Sequence, residues 1–298
     1  MKQKSNTLYL ECQSGISGDM TVAALLDLGA DQEVLEKVLS TIPVQGFKTR
    51  VSRVKKAGLD VCDFEVELEE ENHDHDMEYL YGHEHNHEHE HNYEIEHNHE
   101  NEHHHEHEHN HEHGHSHENA DKHNHHEHRG LAEIVAIIEA ADMTAHAKAL
   151  AIRIFEILAK AESKAHGVPM EQVHFHEVGA VDSIIDIISV AVCLDNLQIQ
   201  ECIVPVICEG RGTVRCQHGI LPIPVPAVIN IVEQNQLHLS IVDVQGEFVT
   251  PTGAAIVAAV KTSDALPENF TVERIGMGAG KRAYERPGIL RAMLIQGR

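Results

Sequence analysis

Val173-His-Phe-His-Glu-Val-Gly-Ala-Val-Asp-Ser-Ile-Ile-Asp-Ile187 is the stretch from which the rest of the chain is read. Side chains of an extended segment alternate between faces, so His174 and His176 point to one side. Asp182 and Asp186 are four residues apart and share one face of the helix that follows, which runs on to about Asp195 and is apolar enough to be a central buried element. Together with Glu177, these residues form a mixed nitrogen and oxygen set that suits several divalent ions without naming one. A strand end followed by a helix with ordinary polar caps accounts for the same residues, and both readings stand at this point.

Upstream, Thr7–Cys12 reads as a buried strand and Ser14-Gly-Ile-Ser-Gly-Asp-Met20 as the turn into a helix over 21–28 closed by Gly29. Gly15 and Gly18 let the backbone approach a ligand, and with Ser14, Ser17 and the free N–H groups of the helix start they make a candidate anion cradle. Asp19 suits the helix dipole but repels a bare phosphate, so it reads as a cap or as a ligand to an accompanying cation. A capped βα turn accounts for the residues equally well. A helix over 31–41 and strands over 47–55 and 61–69 follow, the second with the alternation of a half-exposed antiparallel strand. Helices are predicted over 129–141 and 144–166, the latter stopped by Gly167 and Pro169, with His146 and His166 as surface or capping residues.

Downstream, Cys202–Ile207 reads as an edge or terminal strand because of Pro205. Residues 209–227, with three glycines and three prolines, read as a shaped loop presenting Arg211, Arg215, Cys216 and His218. Either arginine suits an anion, and Cys216 with His218 suits a soft metal, although a hairpin with structural polar contacts fits as well. A helix over 227–234 comes next. Thr250 is the expected cap of a helix opening at Pro251, with Thr252 in its first turn, a second start able to receive an anion. The strand over 270–275 is expected to turn at Gly276-Met-Gly-Ala-Gly-Lys-Arg282, where Gly278, Gly280 and Lys281 make a third phosphate contact. A last strand covers 288–295.

Residues 73–128 interrupt this pattern. They hold 22 of the 28 histidines, 16 Asp or Glu and one Lys, so net −15 of the chain's −25 lies here and −10 in the other 242 residues. With so few aliphatic and aromatic residues the segment cannot offset its ordering entropy, and disorder is expected. The runs over His83, His85, His87, His89 and His91, and over His103, His104, His105, His107, His109, His111, His113, His115 and His117, are candidate weak sites for nickel or zinc, suited to buffering or delivery. Protons are expected to compete with metal there as pH falls towards about 6.5. No basic face suits nucleic acid, no segment has the length of a membrane span, and six scattered cysteines without a CxxC pair fit a reducing, cytoplasmic setting.

Five blocks in this order resemble the LarC-type nickel insertion proteins: Glu11–Met20, His174–Asp186, His218–Pro226, Thr250–Ala254 and Gly276–Gly280. The resemblance implies a cyclometallase that inserts Ni²⁺ into pyridinium-3,5-bisthiocarboxylic acid mononucleotide at the expense of CTP, maturing the cofactor of lactate racemase, whose apoprotein receives it. It also implies a C-terminal domain binding CTP with Mg²⁺ or Mn²⁺, which is not found before Arg298, so a separate polypeptide completes the enzyme or the chain is a truncated or inactive version. The expected fold is α+β, a βα-rich core with a mixed sheet. Residues 1–72 and 129–298 would form one discontinuous catalytic domain, interrupted by 73–128, in a homo-oligomer. His174, His176, Glu177, Asp182 and Asp186 are the candidate nickel ligands, and Glu11, Asp19 and Glu177 the candidate catalytic groups. A nickel storage protein, or a metal-dependent hydrolase or lyase acting on another phosphorylated molecule, is the alternative.

Overall fold

The computed structural model describes residues 6–68, 129–173, 175, 181–216 and 218–297, all within one compact unit. The tract at 73–128 with its weak sites, and the candidate residues His174, His176 and Glu177, lie outside the described residues.

Strand β1 (Asn6–Glu11) turns into helix α1 (Gly18–Asp27), and α2 (Gln32–Leu39) follows, capped by Asp31, whose carboxylate accepts the N–H groups of Glu33 and Val34. Strands β2 (Phe47–Lys56) and β3 (Leu59–Leu68) pair antiparallel. Val61, Cys62, Asp63 and Phe64 are all buried, so this part of β3 is covered on both faces rather than half-exposed as its alternation predicts. Helices α3 (Leu131–Ala140) and α4 (Ala145–His166) come next; α4 begins at its Thr144 cap and ends at left-handed Gly167 (φ 67°).

Helix α5 (Val181–Asn196) leads to β4 (Ile199–Ile203) and β5 (Ile207–Arg211). The single strand expected over Cys202–Ile207 is thus two, parted at Pro205, which has no N–H to give a ladder. The expected loop holds a hairpin, β6 (Thr213–Cys216) with β7 (Gly219–Pro222). Then come α6 (Pro226–Asn235), β8 (Leu239–Gln245), α7 (Pro251–Val260), β9 (Phe270–Ala279) and β10 (Ile289–Gly297).

The main sheet has the order β2-β3-β9-β10-β1-β4, with β1–β4 and β3–β9 parallel and the other pairs antiparallel, the mixed sheet of an α+β fold. Ile184, Ile185, Ile187 and Ile188 of α5 have no exposed surface, because the helix is covered by α1, α4 and α7. Burying each such side chain is worth roughly 1.5–3 kcal/mol. Helix α1 lies directly on β9. Cβ atoms at Gly276 and Gly278 would fall 2.2 Å from the Ala24 carbonyl oxygen and 2.0 Å from that of Met20. The expected glycine turn is therefore the continuation of a strand, and its glycines admit a helix backbone rather than a phosphate.

Parallel bridges Cys12–Ile207 and Ile16–Val249 tie the exit of β1 to the second layer of strands. Two chain segments running side by side thus enter α1 and α7, and the two helices start at one edge. At the other approach to α5, the Phe175 N–H donates to the Arg129 carbonyl at 3.3 Å.

Candidate functional site

The first turn of α1 closes on α5 at Asp186. A Cβ on Gly18 would lie 2.5 Å from Asp186 Oδ2, so only glycine allows this approach. The Asp19 N–H donates to Asp186, while the Asp19 carboxylate accepts the Ser17 hydroxyl and the Met20 N–H. Gly15 (φ 85°) turns the chain, its N–H on the Cys12 carbonyl, and a Cβ there would lie 2.0 Å from the Phe248 oxygen. The N–H groups of Gly15, Asp19 and Met20 and the Ser17 hydroxyl, expected to cradle a phosphate, are thus taken by the protein's own carboxylates and backbone.

Burial pushes the Asp186 carboxyl well above its ordinary range, the charges of Asp19 and Asp182 push it further, and Lys281 opposes them. Burial raises Asp19 as well, against its hydrogen bonds to Ser17 and Met20. Asp186 Oδ1 is enclosed and has no hydrogen-bond partner among the described residues. The Lys281 ammonium lies 2.8 Å from Oδ1 of Asp63, which is 7% exposed. Among the described residues, Asp19, Asp63, Asp182 and Asp186 thus act on one another with Lys281 opposing them, an arrangement in which protonation of the carboxylates is coupled. Among the described residues no three His, Cys, Asp or Glu side chains are gathered to cage a metal, so Asp19, Asp182 and Asp186 do not form a complete site by themselves.

A cavity of about 280 Å³ lies between the end of α4, the β6–β7 hairpin and the starts of α6 and α7. His166, Cys216, His218, Leu221, Glu247 and Arg282 are on its walls. Arg282 donates to Glu247 at 2.6 Å and to the Tyr284 hydroxyl at 3.3 Å. Adjacent residues thus serve two places, Lys281 the carboxylate cluster and Arg282 the cavity. Glu209 is fully buried; its Oε1 accepts the N–H groups of Gly210, Phe248 and Val249 at 2.8, 2.7 and 3.2 Å, and its Oε2 has no partner among the described residues. Burial raises its carboxyl to about 7 in spite of those three donors.

Other sequence-predicted residues have partners elsewhere. Glu11 pairs with Arg291 across the β1–β10 ladder, and Arg211 with Asp243 on β8, so neither is on the cavity wall. Thr250 caps α7 by accepting the Gly253 N–H at 3.1 Å, and Thr252 is buried. The Gly280 N–H goes to the Gly288 carbonyl. His146 pairs with Asp195 at 2.9 Å, and His166 is exposed at the end of α4, both as expected; the His166 ring also lines the cavity beside His218. Glu209 carried one signal in the sequence, a carboxylate inside an apolar strand; Asp63, Glu162 and Glu247 carried none.

The family profile described as nickel insertion protein matches residues 8–298, and the chain belongs to that family. It is 46% identical over 292 residues to the pyridinium-3,5-bisthiocarboxylic acid mononucleotide nickel insertion protein of Alkaliphilus metalliredigens, covering 98% of this chain and 61% of that protein. The proteins of the same name from Acetivibrio thermocellus and Geobacillus kaustophilus are each 34% identical, over 96% of this chain and 60% and 59% of theirs. The chain thus spans about three fifths of the length of the curated relatives it matches. No solved structure matches it. Among the described residues no helix is long and apolar enough to cross a membrane.

Proposed function

We propose that this chain carries the nickel-inserting part of a cyclometallase acting on pyridinium-3,5-bisthiocarboxylic acid mononucleotide, the substrate named for its relatives. The observation that carries this reading is a cluster of buried carboxylates whose cation, Lys281, is the chain neighbour of Arg282 in the cavity wall. Arg282 suits the nucleotide phosphate, and the apolar wall at Leu221 and Val225 suits the ring. Residues 1–72 and 129–298 act as one discontinuous domain. His174, His176, Glu177, Asp182 and Asp186 are the proposed nickel ligands of this reaction. Forming one nickel–carbon and two nickel–sulfur bonds releases the ring proton and requires no redox change; Glu177 is the candidate to accept that proton.

The turns at Gly15, Gly276 and Gly278 do not receive a triphosphate, because the backbone of Phe248 fills the approach at Gly15 and α1 fills the approaches at Gly276 and Gly278. CTP with Mg²⁺ or Mn²⁺ is proposed for the whole protein; this chain spans about three fifths of its relatives' length. Lactate racemase is the proposed recipient of the product. Changing His174 and His176 together to alanine is expected to abolish nickel-nucleotide formation, followed by mass spectrometry, and activation of the racemase, with the circular dichroism spectrum unchanged. Full conversion by the double variant at unchanged expression would remove this metal site from the mechanism.

The 22 histidines of residues 73–128 favour a second role in nickel storage. Removal of 73–128 separates the two: if storage is the main function, nearly all bound nickel and the cellular phenotype vanish. Insertion predicts lower nickel stoichiometry with conversion retained when nickel is plentiful.

A further inference from the structure

The cavity wall brings together residues that are far apart in the chain and chemically alike. His166 closes α4 and His218 follows β6, yet their ring centres are 4.9 Å apart with the planes inclined at 45°. An imidazole nitrogen binds a first-row ion at about 2.1 Å and lies about 1.1 Å from its ring centre, so two imidazoles on neighbouring coordination positions have centres roughly 4.5–5.2 Å apart. The observed spacing falls in that interval. Glu162, one turn back on α4, has Oε2 at 3.5 Å from His166 Nε2, the type of carboxylate contact that orients a ligating imidazole. Cys216 shares the cavity, and it alone among the six cysteines is not buried.

We propose that His166 and His218 form a two-imidazole docking point for a borderline divalent ion, Ni²⁺ in the reading above on which this rests, in the cavity that Cys216 also lines. Two imidazoles fill two positions of such an ion, and its remaining positions can be taken by a substrate. Those positions are what a transfer site requires, since the sulfur atoms of a thiocarboxylate substrate must enter them before the imidazoles leave. The cavity opening on these partly exposed rings gives the ion a route from solvent. Position, not affinity, is then the contribution of this wall: it holds the metal within the space that also has Arg282 for an anionic group.

Cys216 supplies a readout that the histidine tract cannot obscure, because residues 73–128 contain no cysteine. Burial raises Cys62 to about 11 and Cys193 and Cys202 to about 12, and raises Cys12 and Cys208 too, so these five react slowly. The full chain is treated with iodoacetamide at increasing NiCl₂, taken beyond saturation of the tract, and labelling of the Cys216 peptide is followed by mass spectrometry. Saturating Ni²⁺ is expected to slow labelling of Cys216 about tenfold or more, Mg²⁺ to leave it unchanged, and His166→Ala or His218→Ala to reduce the protection to less than about twofold. Unchanged labelling of the natural chain at saturating Ni²⁺ overturns the docking point, as does full protection in both histidine variants. The comparison of Ni²⁺ with Mg²⁺ on the natural chain stands even if a variant folds poorly. Failure here with normal nickel-nucleotide formation removes only this site, whereas protection without any such formation removes the insertion reading.

Discussion

Gly278→Ala is expected to lower the unfolding free energy by ~3 kcal/mol or more, with the loss seen in chemical denaturation without any ligand. The new Cβ would lie 2.0 Å from the Met20 carbonyl oxygen and 2.6 Å from the Ala24 nitrogen, both backbone atoms of α1, so the helix must lift from β9. Since the first turn of α1 holds Asp19 against Asp186, the displacement also opens the carboxylate cluster. Gly280→Ala is the control: its Cβ would meet the Met20 sulfur at 2.9 Å, the end of a flexible side chain, and the change should cost less than about 1 kcal/mol. If Gly278 instead served a phosphate, the variant would keep its stability and lose only ligand affinity.

Glu209 gives the second large effect, in the pH dependence of stability. The unfolded chain titrates near 4.5 and the folded one at about 7, so the folded state binds this proton more tightly. Its favourable contribution is present in full below about 4.5, declines as pH rises through 7, and then levels off; a gap of this size corresponds to about 3 kcal/mol. Glu209→Gln keeps an acceptor for the three N–H groups and removes the charge. Relative to the natural chain the variant should gain about 1–3 kcal/mol between pH 5 and pH 8, measured as the difference in urea unfolding free energy. A difference that does not vary with pH would show that Glu209 remains ionised in the fold. Glu209→Ala, by contrast, strands three buried donors and should be destabilising at every pH.

Local chemistry made much of the fold legible. Thr144 and Gly167 bound α4, Thr250 and Pro251 open α7, and the unbroken isoleucines of α5 mark a buried helix. What misled was context that only tertiary contact supplies. Glycines at 276 and 278 read as a turn, because nothing in their own segment reveals the α1 backbone that requires them. The alternation over 63–69 hides the burial of Asp63, whose partner Lys281 is 218 residues away. The carboxylates of the candidate site were legible through their i,i+4 spacing and the helix start at Asp19. The cavity was not, since His166 and His218 meet only after α4 and the β6–β7 hairpin have packed.

The hydrogen bond from the Phe175 N–H to the Arg129 carbonyl has a consequence for how metal is handed over. His128, the last residue of the histidine-rich tract, is joined by one peptide bond to a residue held against the segment that contains His174 and His176. If the tract carries nickel as proposed, the short sequence distance from its final histidines to Arg129 predicts transfer at an effective concentration set by a short tether, on the order of millimolar, whatever the free nickel level in bulk. Transfer along such a tether is first-order in loaded protein, and dilution leaves its rate unchanged.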